Sequence, residues 1–366
     1  MSKKINILNS TLTMIFTCVA FLFVLFLINK FYVLNTGELI LFLSVGFIIA
    51  TFFSALFHEF GHYFAGKRNG FAFSAMSVWF LRWNKEGGKT KFSFAPLGSE
   101  AGYTEMLPTT PDNVEKKFVS MTLGGIIASF ITILIGIPPL FMGFLSACLF
   151  CIWSMFFVVG VYYFFGTILP VANNGVLNDG AVILNIKKNT IVSQVVVNLL
   201  KIQAHLYQGK TPAQIDKALY FDVPQLPEDD INFALLLNAR YSYYLDDGDY
   251  ENAKKVTERL LSLEDYLTKQ HLMIFKTDAL YNACTFDYNE SLADDLLYEV
   301  EKYVNKVNSA TNIRIKLAYL LGVGREKENL NQFFIKGYKE ADRCQIRGLG
   351  LYERKLLDQL KLKNNE

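Results

Sequence analysis

Two histidines and a glutamate share one turn of an apolar segment near residue 60. His58, Glu59 and His62 form the pattern H-E-x-x-H within ALFHEFGHYFAGKRNG, residues 55–70. On an α-helix, residues i and i+4 lie on one face, so both imidazoles can point at one metal ion. Neutral imidazole is a good zinc ligand, and Glu59, about 100° round the helix, can reach a water beside the metal without binding the metal. This spacing predicts a zinc site with its own general base.

A chance match is the alternative, because many H-E-x-x-H sequences in soluble proteins bind no metal. The surroundings of this motif favour the metal. It lies near the end of a stretch that is otherwise apolar, and an ionisable group inside a membrane span costs about 2.5–3.5 kcal/mol on insertion scales. Three such groups packed together are difficult to explain as ordinary packing.

Two histidines leave a tetrahedral zinc site one protein ligand short. The remaining histidines, His205 and His271, lie in the hydrophilic C-terminal half on predicted helices, where we interpret them as packing or surface residues. Asp179 is a better candidate, because it ends an uncharged run that covers residues 118–178. The alternative is that Asp179 only caps a short helix beginning at Gly180.

The composition places the motif in a membrane protein. Hydrophobic residues make up 52% and aromatic residues 15% of the 366 residues, and the mean hydropathy is +0.23. No charged side chain occurs in residues 5–29, 39–57 or 118–178, and a membrane helix needs about 20 residues. The pattern predicts four spans, near residues 10–33, 39–66, 118–137 and 143–166, with a proline-rich break at GIPPLFMG, residues 136–143. The first span could instead be a signal peptide, but it is long and lacks a small-residue cleavage site.

The basic residues predict the orientation. Most of those in the membrane part precede the first span, lie in residues 67–117 or follow the fourth span, and the positive-inside rule assigns these regions to the cytoplasm. The residues are Lys3, Lys4, Lys67, Arg68, Arg82, Lys85, Lys89, Lys91, Lys116, Lys117, Lys187 and Lys188. We therefore expect both termini in the cytoplasm. The net charge is +2, and no basic stripe indicates nucleic-acid binding.

The composition after residue 187 predicts a soluble, mostly helical C-terminal domain. Residues 246–261, DDGDYENAKKVTERLL, resemble the second half of a tetratricopeptide repeat, with Tyr250 and Ala253 at packing positions. Residues 285–300 show a similar pattern. Two weak copies predict repeat-like helical hairpins, which could bind a partner or substrate tail, or only support the membrane part. Cys148 and Cys151 form a C-x-x-C inside the fourth span, which we interpret as helix packing.

These residues resemble the site-2 protease family of intramembrane zinc metalloproteases. HEFGH matches its first motif, and LPVANNGVLNDG, residues 169–180, resembles its second, in which the Asp of an Asp-Gly is the third zinc ligand; Asp179 takes that place. TLGGIIASF, residues 122–130, resembles the family's glycine-rich motif, and APLGSEAGYTEM, residues 95–106, its Pro-Leu-Gly-Gly-Tyr loop. The resemblance covers about residues 39–190.

The chain departs from the family pattern at several positions, and at two of them the family has asparagines that help to bind the substrate or the oxyanion. Thr167 and Ser129 stand where family asparagines often occur, Ile126 replaces a proline, and roughly four extra residues precede Asp179. The resemblance implies a substrate or oxyanion role for residues at these places, and we leave the choice open. The candidate substrate-binding residues are Thr167, Ser129, Asn173, Asn174, Gly102 and Tyr103.

The resemblance implies a polytopic all-α membrane protein with a zinc-protease core, a small membrane-associated β loop and a C-terminal helical, tetratricopeptide-like domain. We expect an N-terminal anchor in residues 1–38, the core in 39–190, with a cytoplasmic loop at 67–117, and the soluble domain in 191–366. The β loop would hold an extended substrate by strand addition, although a plain cytoplasmic loop is the alternative.

The implied activity is hydrolysis of a peptide bond in a membrane-spanning or signal-peptide-derived substrate. One Zn²⁺ per chain would be held by His58, His62 and Asp179, with Glu59 as general base. We expect a multi-pass protein of a bacterial cell membrane, with the lipid bilayer and the substrate as partners. Two alternatives are a catalytically silent scaffold of the same fold, which the intact Glu59 disfavours, and a metal transporter, which would need polar residues along more spans.

Overall fold

The computed structural model describes residues 3–86, 88–96, 101–173, 176–306, 308–324 and 330–365. The chain divides into two compact units. Unit 1 contains Met1–Asn84, Thr90–Leu107 and Asn113–Thr190, and unit 2 contains Lys85–Lys89, Pro108–Asp112 and Ile191–Glu366.

The elements of the N-terminal half are helical apart from one small sheet and one short hairpin. In chain order they are α1 (Lys3–Phe31), α2 (Thr36–Arg68), β1 (Phe71–Val78), β2 (Leu81–Glu86), β3 (Lys89–Phe94), β4 (Gly102–Pro108), α3 (Val114–Gly136), α4 (Ala147–Ile168), β5 (Ala172–Asn173), β6 (Val176–Leu177) and α5 (Asp179–Lys187).

Four helical segments among the described residues are long and apolar enough to cross a membrane, judged by length and composition. They are Lys3–Phe31, Thr36–Arg68, Val114–Phe141 and Ala147–Ile168. Each predicted span overlaps one of them, although α1 begins earlier than predicted, at Lys3. A 3₁₀ turn, Pro138–Phe141, occupies the predicted proline-rich break between α3 and α4.

Small residues bring α2 close to its neighbours. Gly46, Ala50 and Ser54 are buried at a spacing of four residues, and a Cβ on Gly46 would lie 2.8 Å from the Cα of Ile152 in α4. Small residues at this spacing let helix backbones approach, which drives packing where lipid supplies no hydrophobic contrast. The next residue of the same row is His58, which is therefore turned into the protein interior.

The sheet has the strand order β3-β2-β1-β4, which leaves β3 and β4 as its edge strands. β1 and β2 form an antiparallel hairpin in which Val78 pairs with Leu81. Trp79, in the turn between them, has a φ of 51°. Its amide donates to the carbonyl of Ala101, just before β4 begins, over 3.0 Å. The predicted β loop is thus a four-stranded sheet in the described residues, and Leu97–Glu100 of its glycine-containing motif lie outside them.

The C-terminal part is helical. Its helices are α6 (Ile191–Tyr207), α7 (Ala218–Phe221), α8 (Ile231–Asp247), α9 (Tyr250–Leu261), α10 (Lys269–Thr285), α11 (Glu290–Lys306), α12 (Ala310–Gly322), α13 (Leu330–Asp342) and α14 (Arg347–Asn365). Consecutive helices pack in pairs, α8 with α9, α10 with α11 and α12 with α13. Ala253 is fully buried in this core, whereas Tyr250 is exposed and stacks on Phe286 at 4.7 Å between ring centroids.

An ion pair is buried inside unit 2. The Nε atom of Arg314 donates to Glu353 over 2.7 Å, and the guanidinium lies 4.1 Å from the ring centroid of Tyr281. Asp278 is buried near this pair, and desolvation raises the pKa of its carboxyl group to about 7, against a lowering effect of Arg314 and a raising effect of Glu353. A buried carboxyl group without its own counter-charge is expected to hold its proton in this way.

Candidate metal centre

Three ligand atoms from two helices meet at one point of unit 1. Nε2 of His58 lies 3.1 Å from Nε2 of His62, and Oδ2 of Asp179 lies 3.3 Å from the first and 3.4 Å from the second. His58 and His62 come from the last part of α2, and Asp179 is the first residue of α5. The sequence spacing of four residues on α2 produces the predicted pairing of the imidazoles.

The other ring nitrogen of each histidine faces a fixed oxygen. Nδ1 of His62 lies 3.1 Å from the carbonyl oxygen of Met121, which can only accept, so this nitrogen carries the proton. Nδ1 of His58 lies 2.9 Å from Oγ of Ser129, whose own proton goes to the carbonyl of Gly125 over 3.1 Å. Neutral rings in these tautomers leave a lone pair on each Nε2 atom.

The donor set fits a zinc ion. Oδ2 of Asp179 is buried and has no hydrogen-bond donor among the described residues, so two nitrogen lone pairs and a carboxylate oxygen face one another without a proton between them. Such a cluster is repulsive unless a cation lies between its members. Ligands about 2.0–2.2 Å from a tetrahedral zinc are about 3.3 Å from each other, which is the separation of these three atoms.

Asn178 presents Asp179 to the histidines. Its side chain caps α5 by accepting from the amide of Ala181 over 3.0 Å, and it also accepts from the amide of Val171 over 2.9 Å. The same side chain donates to the carbonyls of Gly166 and Leu169, each over 2.7 Å. The N-cap is therefore Asn178 and not Asp179, so the capping alternative for Asp179 is wrong.

The extra residues before Asp179 are looped out as a hairpin. Ala172 pairs with Leu177 and Asn173 with Val176, and the amide of Asn178 donates to the carbonyl of Val171 over 3.0 Å at the base of the hairpin. The chain thus returns to its starting point before α5 begins. This pairing leaves Asp179 adjacent to the end of α4, where Gly180 packs against the carbonyl of Ile168.

Glycines of α2 and α3 make room for the centre. A Cβ on Gly125 would lie 2.8 Å from Cε1 of His58 and closer still to the ring of His62. Gly61 and Gly124 face each other backbone to backbone where α2 crosses α3. Only glycine permits these approaches, so the glycine-rich motif of α3 both lets the helix pack against α2 and leaves space for the two imidazoles.

Glu59 is buried beside the histidines and contacts the edge strand of the sheet. Oγ1 of Thr104 in β4 donates to Oε2 of Glu59 over 2.6 Å. A Cβ on Gly102 would lie 2.8 Å from Oε1 of Glu59, so Gly102 lets β4 come this close. Tyr163 of α4 completes the surroundings, with its ring centroid 6.3 Å from that of His58.

The predicted substrate-binding residues separate into groups. Gly102 and Tyr103 lie on β4 next to Glu59, whereas Oγ1 of Thr167 donates back to the carbonyl of Tyr163 over 2.8 Å, within its own helix. Ser129 supports His58 and has used its proton on Gly125. The side chain of Asn173 and the whole of Asn174 lie outside the described residues.

Sequence patterns do not identify two residues, Thr104 and Asn178, that hold Glu59 and the start of α5 in place. Thr104 is 45 residues from Glu59, and only the sheet brings the two together. Asn178 offered a local signal, because an Asn two residues before a glycine and directly before an acidic residue is a good N-cap. The capping alternative considered from the sequence places the cap one residue later, at Asp179.

A comparison with known proteins gives the family. The family model described as Peptidase family M50 matches residues 46–330, which is more than half of the chain. No curated protein matches the chain, and no solved structure matches it. The matched range includes His58, Glu59, His62 and Asp179, and the family consists of intramembrane zinc metalloproteases. The chain belongs to peptidase family M50, the site-2 protease family.

Proposed function

We propose that this protein is an intramembrane zinc endopeptidase that hydrolyses a peptide bond in a membrane-spanning or signal-peptide-derived substrate. The observation that carries the proposal is the meeting of Nε2 of His58, Nε2 of His62 and Oδ2 of Asp179 within 4.8 Å of one another, beside the carboxylate of Glu59. A purely structural metal site would not need a carboxylate held next to its ligands.

His58, His62 and Asp179 would hold the zinc ion, one per chain. Ser129 and the carbonyl of Met121 fix the rings of the two histidines, and Asn178 fixes the helix start that carries Asp179. Zinc supplies Lewis acidity, which acidifies water and polarises a peptide carbonyl. The residues behind the ligands orient them and preserve the tautomers that leave each Nε2 available.

Glu59 is the proposed general base. It takes a proton from the attacking water at a carboxylate oxygen and later returns it to the leaving amine. Thr104 donates to Oε2, and an ionised carboxylate has about four lone-pair sites, so this bond orients the group and leaves capacity for the proton. Burial of Glu59 keeps bulk water away from the base.

Strand β4 is the proposed substrate clamp. A peptide bond in a helix is enclosed by its own hydrogen bonds, so the substrate must become extended before its carbonyl can be attacked. β4 is an edge strand, and an extended segment can pair with such an edge through main-chain hydrogen bonds. Because Gly102 and Thr104 contact Glu59, a segment paired with β4 would lie next to the general base. Exposed Tyr103 would contact its side chains.

We propose a multi-pass protein of a bacterial cell membrane with both termini in the cytoplasm. Within unit 1, Asn6 near the start of α1 contacts Ala172, which follows the end of α4, so these two helix ends lie on the same side of the helices. The basic residues Lys3, Lys4, Lys187 and Lys188 flank these ends, in agreement with the positive-inside rule.

The C-terminal helices are proposed as a cytoplasmic, tetratricopeptide-like domain covering residues 191–366, after the anchor at 1–38 and the protease core at 39–190. The pairing of consecutive helices and the burial of Ala253 support repeat-like hairpins. Such a stack offers a surface for a substrate tail or a partner protein.

Metal analysis of the purified full-length chain tests the proposal. We expect about one zinc per wild-type chain and less than a tenth of that in Asp179→Asn after both are dialysed against the same zinc buffer. Asp222→Asn, an exposed position in unit 2, is the matched control and should bind zinc as the wild type does. A wild-type chain without zinc, or equal zinc in Asp179→Asn, would contradict the proposed ligand set.

A further inference from the structure

Helix α1 lies outside the range matched by the family model, which begins at residue 46, yet it packs along α4. The methyl group of Thr13 lies 3.8 Å from the position of a Cβ on Gly166, and the ring of Phe16 stacks on that of Phe165 with 4.2 Å between centroids. One side of α1 therefore follows α4 towards the loop that carries Asp179.

Two asparagines, Asn6 and Asn9, lie on the same side of α1 and contact the chain just after the end of α4. Nδ2 of Asn9 donates to the carbonyl of Pro170 over 2.7 Å. Asn6 binds both main-chain groups of Ala172, because its Nδ2 donates to the carbonyl over 2.8 Å and its Oδ1 accepts from the amide over 3.2 Å. Asn6 therefore pairs with Ala172 as a neighbouring β-strand would.

These bonds satisfy main-chain groups that have few alternatives. Pro170 and Ala172 are half-buried, and unpaired main-chain groups in apolar surroundings are costly. Both asparagines are themselves half-buried, whereas the other residues of Lys3–Thr11 are exposed, so these two side chains face the protein. The bonds cross 161 and 166 residues of chain, so they fix the loop from outside its own sequence.

The fixed loop leads directly to the third ligand. Val171, between the two bonded residues, exchanges hydrogen bonds with Asn178 through its amide and its carbonyl. Asn178 caps the helix whose first residue is Asp179. The contacts thus run from α1 to Val171, to Asn178 and to the ligand.

We propose that Asn6 and Asn9 are positioning residues that hold Asp179 at the metal, so that α1 is a working part of the metal centre and not only an anchor. The proposal rests on the proposed zinc site. Removal of both amides frees the loop at Pro170 and Ala172, and Asp179 then reaches the two histidines in only a fraction of the population. Loss of groups that support metal ligands typically lowers metal affinity about 10- to 100-fold.

The test is the zinc affinity of the full-length chain in lipid nanodiscs, measured by competition with a chromogenic chelator. We expect Asn6→Ala/Asn9→Ala to raise the Kd for zinc at least about 10-fold. Asn29→Ala, at an exposed position on the same helix, is the matched control and should leave the Kd within about 2-fold of wild type. In the Co²⁺-loaded chain, the double variant should also show weaker visible absorption, because fewer centres keep all three ligands.

Several results would overturn the proposal. An unchanged Kd in the double variant would do so, as would an equal loss in Asn29→Ala, which would indicate a general weakening of α1. If the double variant does not fold, Asn6→Ala and Asn9→Ala are measured singly, and a Kd equal to wild type in both overturns it. A wild-type chain that binds no zinc would remove the proposed function as well, whereas an unchanged variant removes only the role of α1.

Discussion

The hydroxyl of Thr104 donates a hydrogen bond of 2.6 Å to Oε2 of Glu59 and so joins the edge strand of the sheet to the helix that carries the H-E-x-x-H motif. The same strand brings Gly102 against Oε1. The carboxylate is therefore held by the strand that we propose as the substrate clamp. In the proposed mechanism, both the position of the substrate and the orientation of the base would depend on one element, β4.

Thr104→Val tests this relationship. Valine keeps the shape but loses the donor, so Glu59 loses a charge-assisted bond worth about 1.5–3 kcal/mol and its orientation becomes less defined. We expect kcat to fall about 10-fold or more with little change in KM, while zinc content stays at the wild-type level. Thr104→Ser keeps the hydroxyl and should retain most of the activity. Equal rates for the valine and serine variants would show that the hydrogen bond does not assist the reaction.

Gly125→Ala tests the space behind the ligands. The new methyl group would stand 2.8 Å from Cε1 of His58 and closer to His62, so at least one imidazole must turn away from the metal. We expect zinc affinity to fall at least about 10-fold while the helical content by circular dichroism is unchanged.

Gly143→Ala is the control for Gly125→Ala, because among the described residues its methyl group would meet Phe31 alone, at an ordinary 3.7 Å. Full zinc binding by Gly125→Ala would mean that the histidines do not occupy the positions described above.

The sequence predicted the grouping of the proposed ligands because their signals are local or shared with a family, while their role as ligands stays a prediction. His58, Glu59 and His62 lie within one helical turn, and Asp179 follows a Leu-Pro in a recognisable motif. The supporting contacts are different in kind. The sequence predicts a substrate-binding role for Ser129, whereas its hydroxyl contacts Nδ1 of His58, 71 residues away in the chain. Nothing in the sequence indicates the contact of Thr104 with Glu59.

The extra residues before Asp179 illustrate the same limit. In the sequence, these residues lengthen the segment between Pro170 and Asp179. The spacing alone does not predict which conformation the added residues adopt. In the structure, Ala172 pairs with Leu177, so the chain on either side of the added residues is brought together and Asp179 lies near the two histidines. The long helices and the proline break were predicted more closely, because uncharged length and proline act locally. The tetratricopeptide-like character of the C-terminal helices stays a prediction.

Unit 2 should lose stability as the pH rises from about 4 to 7. Asp278 has an ordinary pKa of 3.8, and burial raises it to about 7 in the folded chain beside Arg314 and Glu353. Between these values the unfolded chain has released a proton that the folded chain still holds, so each pH unit costs about 1.4 kcal/mol and the full change is about 4 kcal/mol. Below pH 4 and above pH 7 the contribution of this group is constant.

Hydrogen exchange of the α10 and α12 amides, corrected for the intrinsic rate, measures this dependence. In Asp278→Asn, the protection of these amides should depend less on pH than in wild type. The protection should be similar to wild type near pH 4 and higher than wild type at pH 8. Asp295→Asn, on the exposed side of α11, should keep the wild-type slope. A wild-type protection that rises from pH 4 to 7 while Asp278→Asn behaves identically would contradict the assignment.

The central claim is that Glu59 performs chemistry at a metal held by His58, His62 and Asp179. It is tested most directly by comparing the membrane proteomes of native cells that carry wild type, Glu59→Gln or Glu38→Gln. Glu38 lies in an exposed capping box on the same helix, which glutamine can preserve, so its variant is the matched control. Zinc content of the three purified chains is measured in parallel.

We predict that one or more membrane-spanning or signal-peptide-derived proteins accumulate uncut in Glu59→Gln and not in Glu38→Gln, while all three chains retain zinc. The loss of a general base typically lowers the rate about 10²- to 10⁴-fold, so the accumulation should be near complete. Identical proteomes for wild type and Glu59→Gln, with zinc bound in both, would contradict the account and favour a metal-bound scaffold.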